Sequence, residues 1–257
     1  MANESVDQNL PTRTPTCPSA WVDEHTISIA GKAVKEKSHE ITAIPNVLDS
    51  IDLTGAVMSI DAIGTQTDIA QKIVESEADY VLALKRNHRH LFEDVKDAFT
   101  GRYAQFTYST LGKDHGRVKE RIYTALRPQE VLDESQYAPW KNLSSMVQVE
   151  RLVTLSDGTE RRDKQYYLRS LPAEAVGKIG AYIRAHWGIE NRLHWHLDVT
   201  FREDLCRARK AYAAQNLNTI RELALAIVSQ RKDKLSIRKR LFTAALNIDY
   251  LKELLKI

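Results

Sequence analysis

Cysteine is scarce in this sequence: two residues in 257, Cys17 and Cys206, far apart in the chain. They form no paired ligand spacing, which argues against a zinc finger or ribbon and against a disulfide framework. No apolar run is long enough to cross a bilayer, and the first 18 residues are too polar for a signal peptide. A reducing cytoplasmic setting is therefore expected. Internal repeats and low-complexity tracts are lacking too, which sets aside solenoids and arrays. Charge of one sign is also scant, with 37 Lys and Arg against 34 Asp and Glu, a net of +3. A 43% hydrophobic content is enough for a sizeable core, in one large domain or two small ones.

The cations are clustered where the acids are scattered. They crowd into Lys85–Arg89, Arg117–Arg121, Arg207–Lys210 and Arg231–Arg240. Islands of this kind suit phosphate backbones, and each alone also suits an ordinary solvated face.

Residues 1–18, with three prolines and little apolar periodicity, read as a disordered or unrelated leader. Trp21-Val22 and Ile27–Ala33 read as short strands with Asp23-Glu24-His25 turning between them, and Ser38-His39-Glu40 starts a helix. Gly55–Ala62 is a nearly continuous apolar run, as in a strand buried on both faces. Gln66–Glu77 is helical, Tyr80–Leu84 is a second buried strand, and His90–Phe99 a helix. This β-α-β-α order favours parallel pairing in a helix-covered sheet. From Tyr103 to Ser170 the helical signal fades. Arg121–Leu126, Met146–Leu155 and Gln165–Leu171 alternate as strands, the last two joined by a turn at Ser156–Thr159. Pro172 opens a helix at its favoured first position. Further helices are expected over Arg207–Gln230, Ser236–Leu246 and Asp249–Lys256. The organisation is then a leader (1–18), the first part of an α/β core (19–102), a β insertion (103–171) and a helical region (172–257).

The densest chemistry lies in HWGIENRLHWHLDVTFRED, residues 186–204. At helical spacing Glu190, His194 and Asp198 share a face, beside an apolar stripe of Ile189, Leu193 and Leu197. His186, Glu190 and His194 raise a zinc site, but no HExxH motif is present and a structural zinc site asks for four ligands. Trp187 and Trp195 suit the core, the commoner fate of Trp at this spacing, or stacking on exposed bases. A second carboxylate, Asp61, closes the Gly55–Ala62 run. Carboxylates at C-terminal strand ends of such sheets tend to face ligands, though an Asp there can also merely cap a helix. Two carboxylates on rigid elements suit Mg²⁺ or Mn²⁺ and chemistry on phosphates.

Taken in order, VMSIDAIG (57–64), Thr67–Lys72, DYVLALKRN (79–87), HGR (115–117) and HWGIENRLHWHLDVTFRED resemble the DDE-type insertion-sequence transposases of the ISAs group. The H-repeat-associated proteins of enteric bacteria belong to the same set. The resemblance runs from about Ser19 to Ile257. It implies a mixed α/β, ribonuclease-H-like core interrupted by the β insertion and followed by a C-terminal helical region. It implies DNA cleavage and strand transfer with Mg²⁺ or Mn²⁺, ligated by Asp61 and Glu190 as catalytic residues. Lys85, Arg86, Asn87, His115, Arg117, Arg184, Asn191 and His194 become candidate DNA contacts. The implied partners are DNA of insertion-sequence ends and another transposase chain, whether a second copy or a full-length relative. The implied location is cytoplasmic, at the nucleoid when DNA is bound.

The departures from the pattern matter equally. The family's DGK-type motif with its first Asp is not found, and neither Asp7 nor Asp23 lies in a suitable strand pattern. The core is therefore expected to miss its first strand and its activity to be impaired. Lys85-Arg86-Asn87-His88 stands where the family has K-G-N-Q. A non-catalytic DNA-binding or regulatory remnant is the other reading left open.

Overall fold

The computed structural model describes residues 19–22, 27–31, 40–101, 103, 105–114, 117–208 and 212–256; residues 19–22, 27–31, 40, 114, 190 and 191 are described by backbone alone. The expected leader lies outside the described residues. The chain divides into two compact units, residues 52–186 and residues 1–51 with 187–257.

In the latter unit, β1 (Ser19–Val22) and β2 (Ile27–Gly31) pair antiparallel, and α1 (Glu40–Leu48) follows. The unit 52–186 then begins with β3 (Val57–Ile60), α2 (Thr67–Glu75), β4 (Asp79–Leu84) and α3 (Arg89–Ala98). β3 and β4 pair in parallel, Val57 opposite Asp79 and Ile60 opposite Leu82, as the β-α-β-α order predicts. Four long strands come next: β5 (Phe106–Asp114), β6 (Arg117–Leu126), β7 (Ser145–Thr154) and β8 (Glu160–Arg169), with one short turn of helix, α4 (Glu134–Tyr137), after β6. All belong to a single mixed sheet in the order β3-β4-β8-β7-β6-β5. β8 pairs antiparallel with β4, so the strands of the 103–171 segment are hydrogen-bonded to the βαβ unit itself.

Three sequence expectations need correction here. Val57–Ile60 is half-buried rather than enclosed on both faces, because β3 is the last strand of the sheet and has one neighbour among the described residues. β5 is a strand that the sequence pattern does not announce: only Phe106 and Tyr108 are large apolar residues on its core-facing side, and it is legible mainly from its pairing with β6. Pro172 sits outside its helix, extended at φ −64° and ψ 152°, before a 3₁₀ turn (Ala173–Ala175) and α5 (Val176–Ile189). Its carbonyl is engaged by Ala175 N–H and by the guanidinium of Arg169, which holds it in that outer position. The turn at Ser156–Thr159 forms as expected, with Gly158 at φ +81° and Thr159 N–H donating to Asp157 Oδ1.

Register sorts the sheet into two faces, since residues directly opposite share a side. One face carries Val81, Ala83, Tyr123, Ala125, Val147, Val149 and Tyr167, and α5 packs Val176, Ile179 and Ile183 onto it. Burying each such aliphatic side chain contributes about 1.5–3 kcal/mol. Gly180 permits the close approach: a Cβ there would fall 2.7 Å from the Tyr123 hydroxyl. Phe92 of α3 and Phe99 just beyond its end pack on the other face against Tyr166. The unit 52–186 is thus helix, sheet, helix in section.

In the other unit, the chain beyond Ile189 continues as π-helical turns over Glu190–His194 and His196–Thr200. Leu193 and Leu197 are buried as the apolar stripe predicts, in a cluster with Leu225, Val228 and Leu254. The last three belong to α6 (Ala213–Ser229) and α8 (Ile248–Leu255); α7 (Ile237–Leu246) lies between them in sequence. Asp233 ties these helices together. Its carboxylate pairs with Arg240 (2.8 Å) and Arg231 (3.2 Å) and accepts from the Tyr250 hydroxyl (3.0 Å). Desolvation pushes this carboxyl up, but Arg240, the Leu235 N–H and the Tyr250 hydroxyl outweigh it and hold it at about 2. A depressed carboxyl contributes stability that is complete above its ordinary value near 3.8 and is lost as pH falls toward 2. Circular dichroism melts should therefore show helix loss in this unit across that acidic window, and Asp233→Asn should flatten the dependence there while lowering stability at neutral pH. An unchanged acid profile in the variant would remove Asp233 from this role.

Candidate functional site

The parallel pair β3–β4 ends in two adjacent loops, and each carries residues that bolt it to the other. Asp61 follows β3 directly, and its Oδ1 accepts from Ala62 N–H at 2.7 Å, capping the 3₁₀ turn Ala62–Gly64. Lys85 follows β4, and its Nζ donates to the same Oδ1 at 3.0 Å. Asn87 Nδ2 donates to the Ala62 carbonyl at 2.6 Å and His88 Nε2 to the Thr65 carbonyl at 2.6 Å. Thr65 Oγ1 in turn donates to the Ala83 carbonyl at 2.7 Å. Four bonds across two loops leave the backbone at Asp61 little freedom.

Of the two roles the sequence left open at this position, the cap is present. Asp61 caps through Oδ1, yet its side chain remains 57% exposed and Oδ2 accepts no hydrogen bond among the described residues. Partial burial raises its carboxyl, but Ala62 N–H and the Lys85 ammonium more than offset this, so the group sits below the usual carboxylate range. Its carboxyl is ionised at neutral pH.

His186, near the end of α5, is drawn to the same face. Its Nδ1 lies 3.2 Å from the Ser59 hydroxyl, two residues before Asp61 on β3. Burial lowers the His186 pKa, against the field of Asp61. The Ser59–His186 contact fixes the end of α5 against β3 four residues before Glu190. Sequence reasoning did not single out Ser59; an alternating strand that ends in a ligand carboxylate places residue i−2 on the ligand's face, which is the signal that could have found it.

The remaining sequence candidates fall as follows. Glu190 and Asn191 are placed by backbone only, at the start of the first π turn. Those π turns alter the expected i, i+4, i+8 alignment of Glu190, His194 and Asp198, because each turn holds more residues than an α turn. His194 is exposed. Arg86 lies in the exposed turn before α3, Arg117 at the exposed start of β6, and Arg184 is exposed on α5 with its guanidinium beside Gly180. His115 lies outside the described residues. Trp187 and Trp195 are 49% and 51% exposed, so neither is a core residue. Among the described residues no three His, Cys, Asp or Glu side chains gather in a metal-holding group, and no helix is long and apolar enough to cross a membrane. As a ligand, Asp61 fits a hard divalent ion: a fixed, ionised carboxylate with one oxygen open.

Comparison with known proteins brings these observations together. A family profile described as "Transposase DDE domain" matches residues 18–228. An H repeat-associated putative transposase, YhhI of Escherichia coli K12, is 32% identical over 246 residues, covering 92% of this chain and 64% of the relative. The putative transposase YncI of Escherichia coli O157:H7 is 33% identical over 249 residues, covering 92% and 62% respectively. The chain thus spans somewhat under two thirds of the length of these relatives. A piggyBac transposase in a synaptic complex with hairpin DNA matches at TM-score 0.43 and 12% identity, covering 91% of this chain and 46% of that one.

Proposed function

The chain belongs to the DDE transposase family, and from that premise we propose that it acts on insertion-sequence DNA by metal-assisted phosphodiester cleavage and strand transfer. Asp61 and Glu190 are the ligands in this reading, with Mg²⁺ or Mn²⁺ as the ion. Such an ion, when bound, polarises a phosphoryl oxygen and makes water or a hydroxyl a better nucleophile. The observation that carries the reading is the Asp61 carboxylate, immobilised by Ala62 N–H at the C-terminal end of a parallel pair while Oδ2 stays open.

The surrounding residues have separate duties. Lys85 sets the charge beside Asp61 and offers an ammonium to a phosphate oxygen. Asn87 and His88 hold the Asp61 loop. Ser59 and His186 set α5 on β3. Arg86, Arg117, Arg184 and His194 are exposed and suit backbone contacts. Pairing with a second copy or a longer relative belongs to the same proposal.

Two carboxylates neutralise two divalent ions poorly, so this chain by itself is expected to cleave slowly or not at all. The test is cleavage of element-end DNA with Mg²⁺ or Mn²⁺, by this chain and by a version extended with a strand bearing a DGK-type aspartate. Cleavage is expected from the extended form and should vanish in its Glu190→Gln variant. Equal cleavage by that variant would exclude the assigned role of Glu190. DNA binding without cleavage in either form would favour the non-catalytic reading.

A further inference from the structure

The sheet of the unit 52–186 changes character where it rises above the β3–β4 pair. Leu84, the last residue of β4, is opposite Tyr166 of β8, so residues 160–165 and their partners on β7, β6 and β5 extend past the end of the sheet that bears Asp61. The core-facing register continues into this overhang: Tyr123, Val149 and Gln165 lie in one row, Arg121, Arg151 and Asp163 in the next, then Lys119, Val153 and Arg161, and lastly Arg117. That side therefore collects Arg117, Lys119, Arg121, Arg151 and Arg161 around Asp163, so that cations predominate among its described side chains.

The opposite side of the same overhang is electrically balanced. It carries Lys113, Arg162 and Lys164 against Glu120, Glu150 and Glu160, and Arg162 Nε lies 3.2 Å from Glu150 Oε1. A solvated ribbon has no need to sort its charges this way. Arg121 is set directly across from Arg151, a like-charge cross-strand pair that Asp163, across from Arg151 on β8, offsets only in part. Arg117, Arg151 and Arg161 are exposed.

We infer that this face is a track for the phosphate backbone of duplex DNA, running from the Asp61 end of the sheet along the overhang. Asp61 follows Ser59, which shares a row with Val81 and Arg169, so strand alternation puts the carboxylate on the same side as the cations. Strand rise and spacing put Arg151 roughly 20 Å from Asp61, about six base-pair steps along a duplex at 3.4 Å each. Same-side residues on one strand recur every ~6.6 Å and neighbouring strands every ~4.8 Å, so the cations form a two-dimensional grid able to follow a backbone. The inference rests on the reading of the chain as a DNA-acting enzyme and extends it from the Arg117–Arg121 island to Arg151 and Arg161, which no motif marked.

The test is binding of a labelled duplex of arbitrary sequence, without divalent metal, across a salt series. In the full chain, Arg121→Ala/Arg151→Ala/Arg161→Ala should weaken binding at least about tenfold at low salt and reduce the salt slope by about 2–3. The opposite-face variant Arg162→Ala/Lys164→Ala should leave both nearly unchanged, and Arg121→Lys/Arg151→Lys/Arg161→Lys should keep most of the affinity. Melting temperatures of all three variants establish that they fold. Equal losses from the two faces, no loss from the first, or tighter binding of hairpin RNA or polyglutamate than of the duplex would each overturn the inference. The assay contains no metal and reads no cleavage. Its failure therefore leaves the Asp61–Glu190 reading untouched, and failure of that reading in the cleavage assay leaves this face standing.

Discussion

Asp61→Asn is expected to lower metal-dependent DNA cleavage by about three powers of ten or more, the scale at which lost charge stabilisation shows in phosphoryl transfer. The substitution separates the cap at this position from the ligand role proposed for it. An Asn oxygen can still accept from Ala62 N–H, so the 3₁₀ turn and the loop bolted by Asn87 and His88 should persist. What disappears is the negative charge, and with it the ion pair to Lys85 and the charge that the proposed ligand role requires. The pair itself contributes little to stability, because both partners are more than half exposed. The melting temperature should therefore move little while Mn²⁺ binding, followed by electron paramagnetic resonance, and cleavage in the extended form both collapse. Retention of cleavage in a folded Asp61→Asn protein would rule out Asp61 as a ligand. A large drop in melting temperature would show that the carboxylate serves the fold first.

The second large effect runs against intuition. Arg169→Met should stabilise the protein, by about 1–4 kcal/mol. Arg169 is completely enclosed, on the last residue of β8 between Val81 and Ser145, and donates Nη2 to the Pro172 carbonyl at 3.2 Å. Its Nε and Nη1 have no hydrogen-bond partner among the described residues. Burial drives the guanidinium down to about 10, against the attraction of Tyr182 and Asp79. A base whose folded pKa is depressed destabilises the fold at every pH below that value and is relieved only as pH rises through it. The cost is therefore fully present at neutrality. Methionine fills similar space without the charge, and chemical denaturation at pH 7 measures the gain. A loss of stability instead would mean that the Pro172 contact and the field of Asp79 outweigh the buried charge.

Much of this fold is visible in local patterns because its decisive elements are either deeply buried or sharply punctuated. Tyr80–Leu84 is apolar throughout and is enclosed; Asp157-Gly158 turns the chain between β7 and β8 as such a pair should. Val57–Ile60 is apolar but for Ser59, yet its depth depends on how many strands flank it, which composition does not encode. β5 pairs along its whole length with β6 but carries few large apolar residues, so its identity comes from its neighbour. Asp61 could be picked out because it ends an apolar run. Ser59, Asn87 and His88 could not be given their positioning roles, since those rest on contacts across 127, 25 and 23 residues of sequence. The charge sorting on the overhang was hidden for a related reason: period-two alternation places residues on a side of one strand, but only register between strands adds Arg121, Arg151 and Arg161 to one surface.

The π turns after α5 also set how this region can change over time. A π turn is in effect an α turn carrying one extra residue. Deleting a single residue within 190–194 would let that turn tighten to ordinary α geometry while all that follows keeps its facing. Leu197 would then stay in the cluster with Leu225 and Leu254. This segment can thus lose one residue by a change of turn type, whereas one residue more would rotate all that follows by about 100° and swing Leu197 out of the cluster.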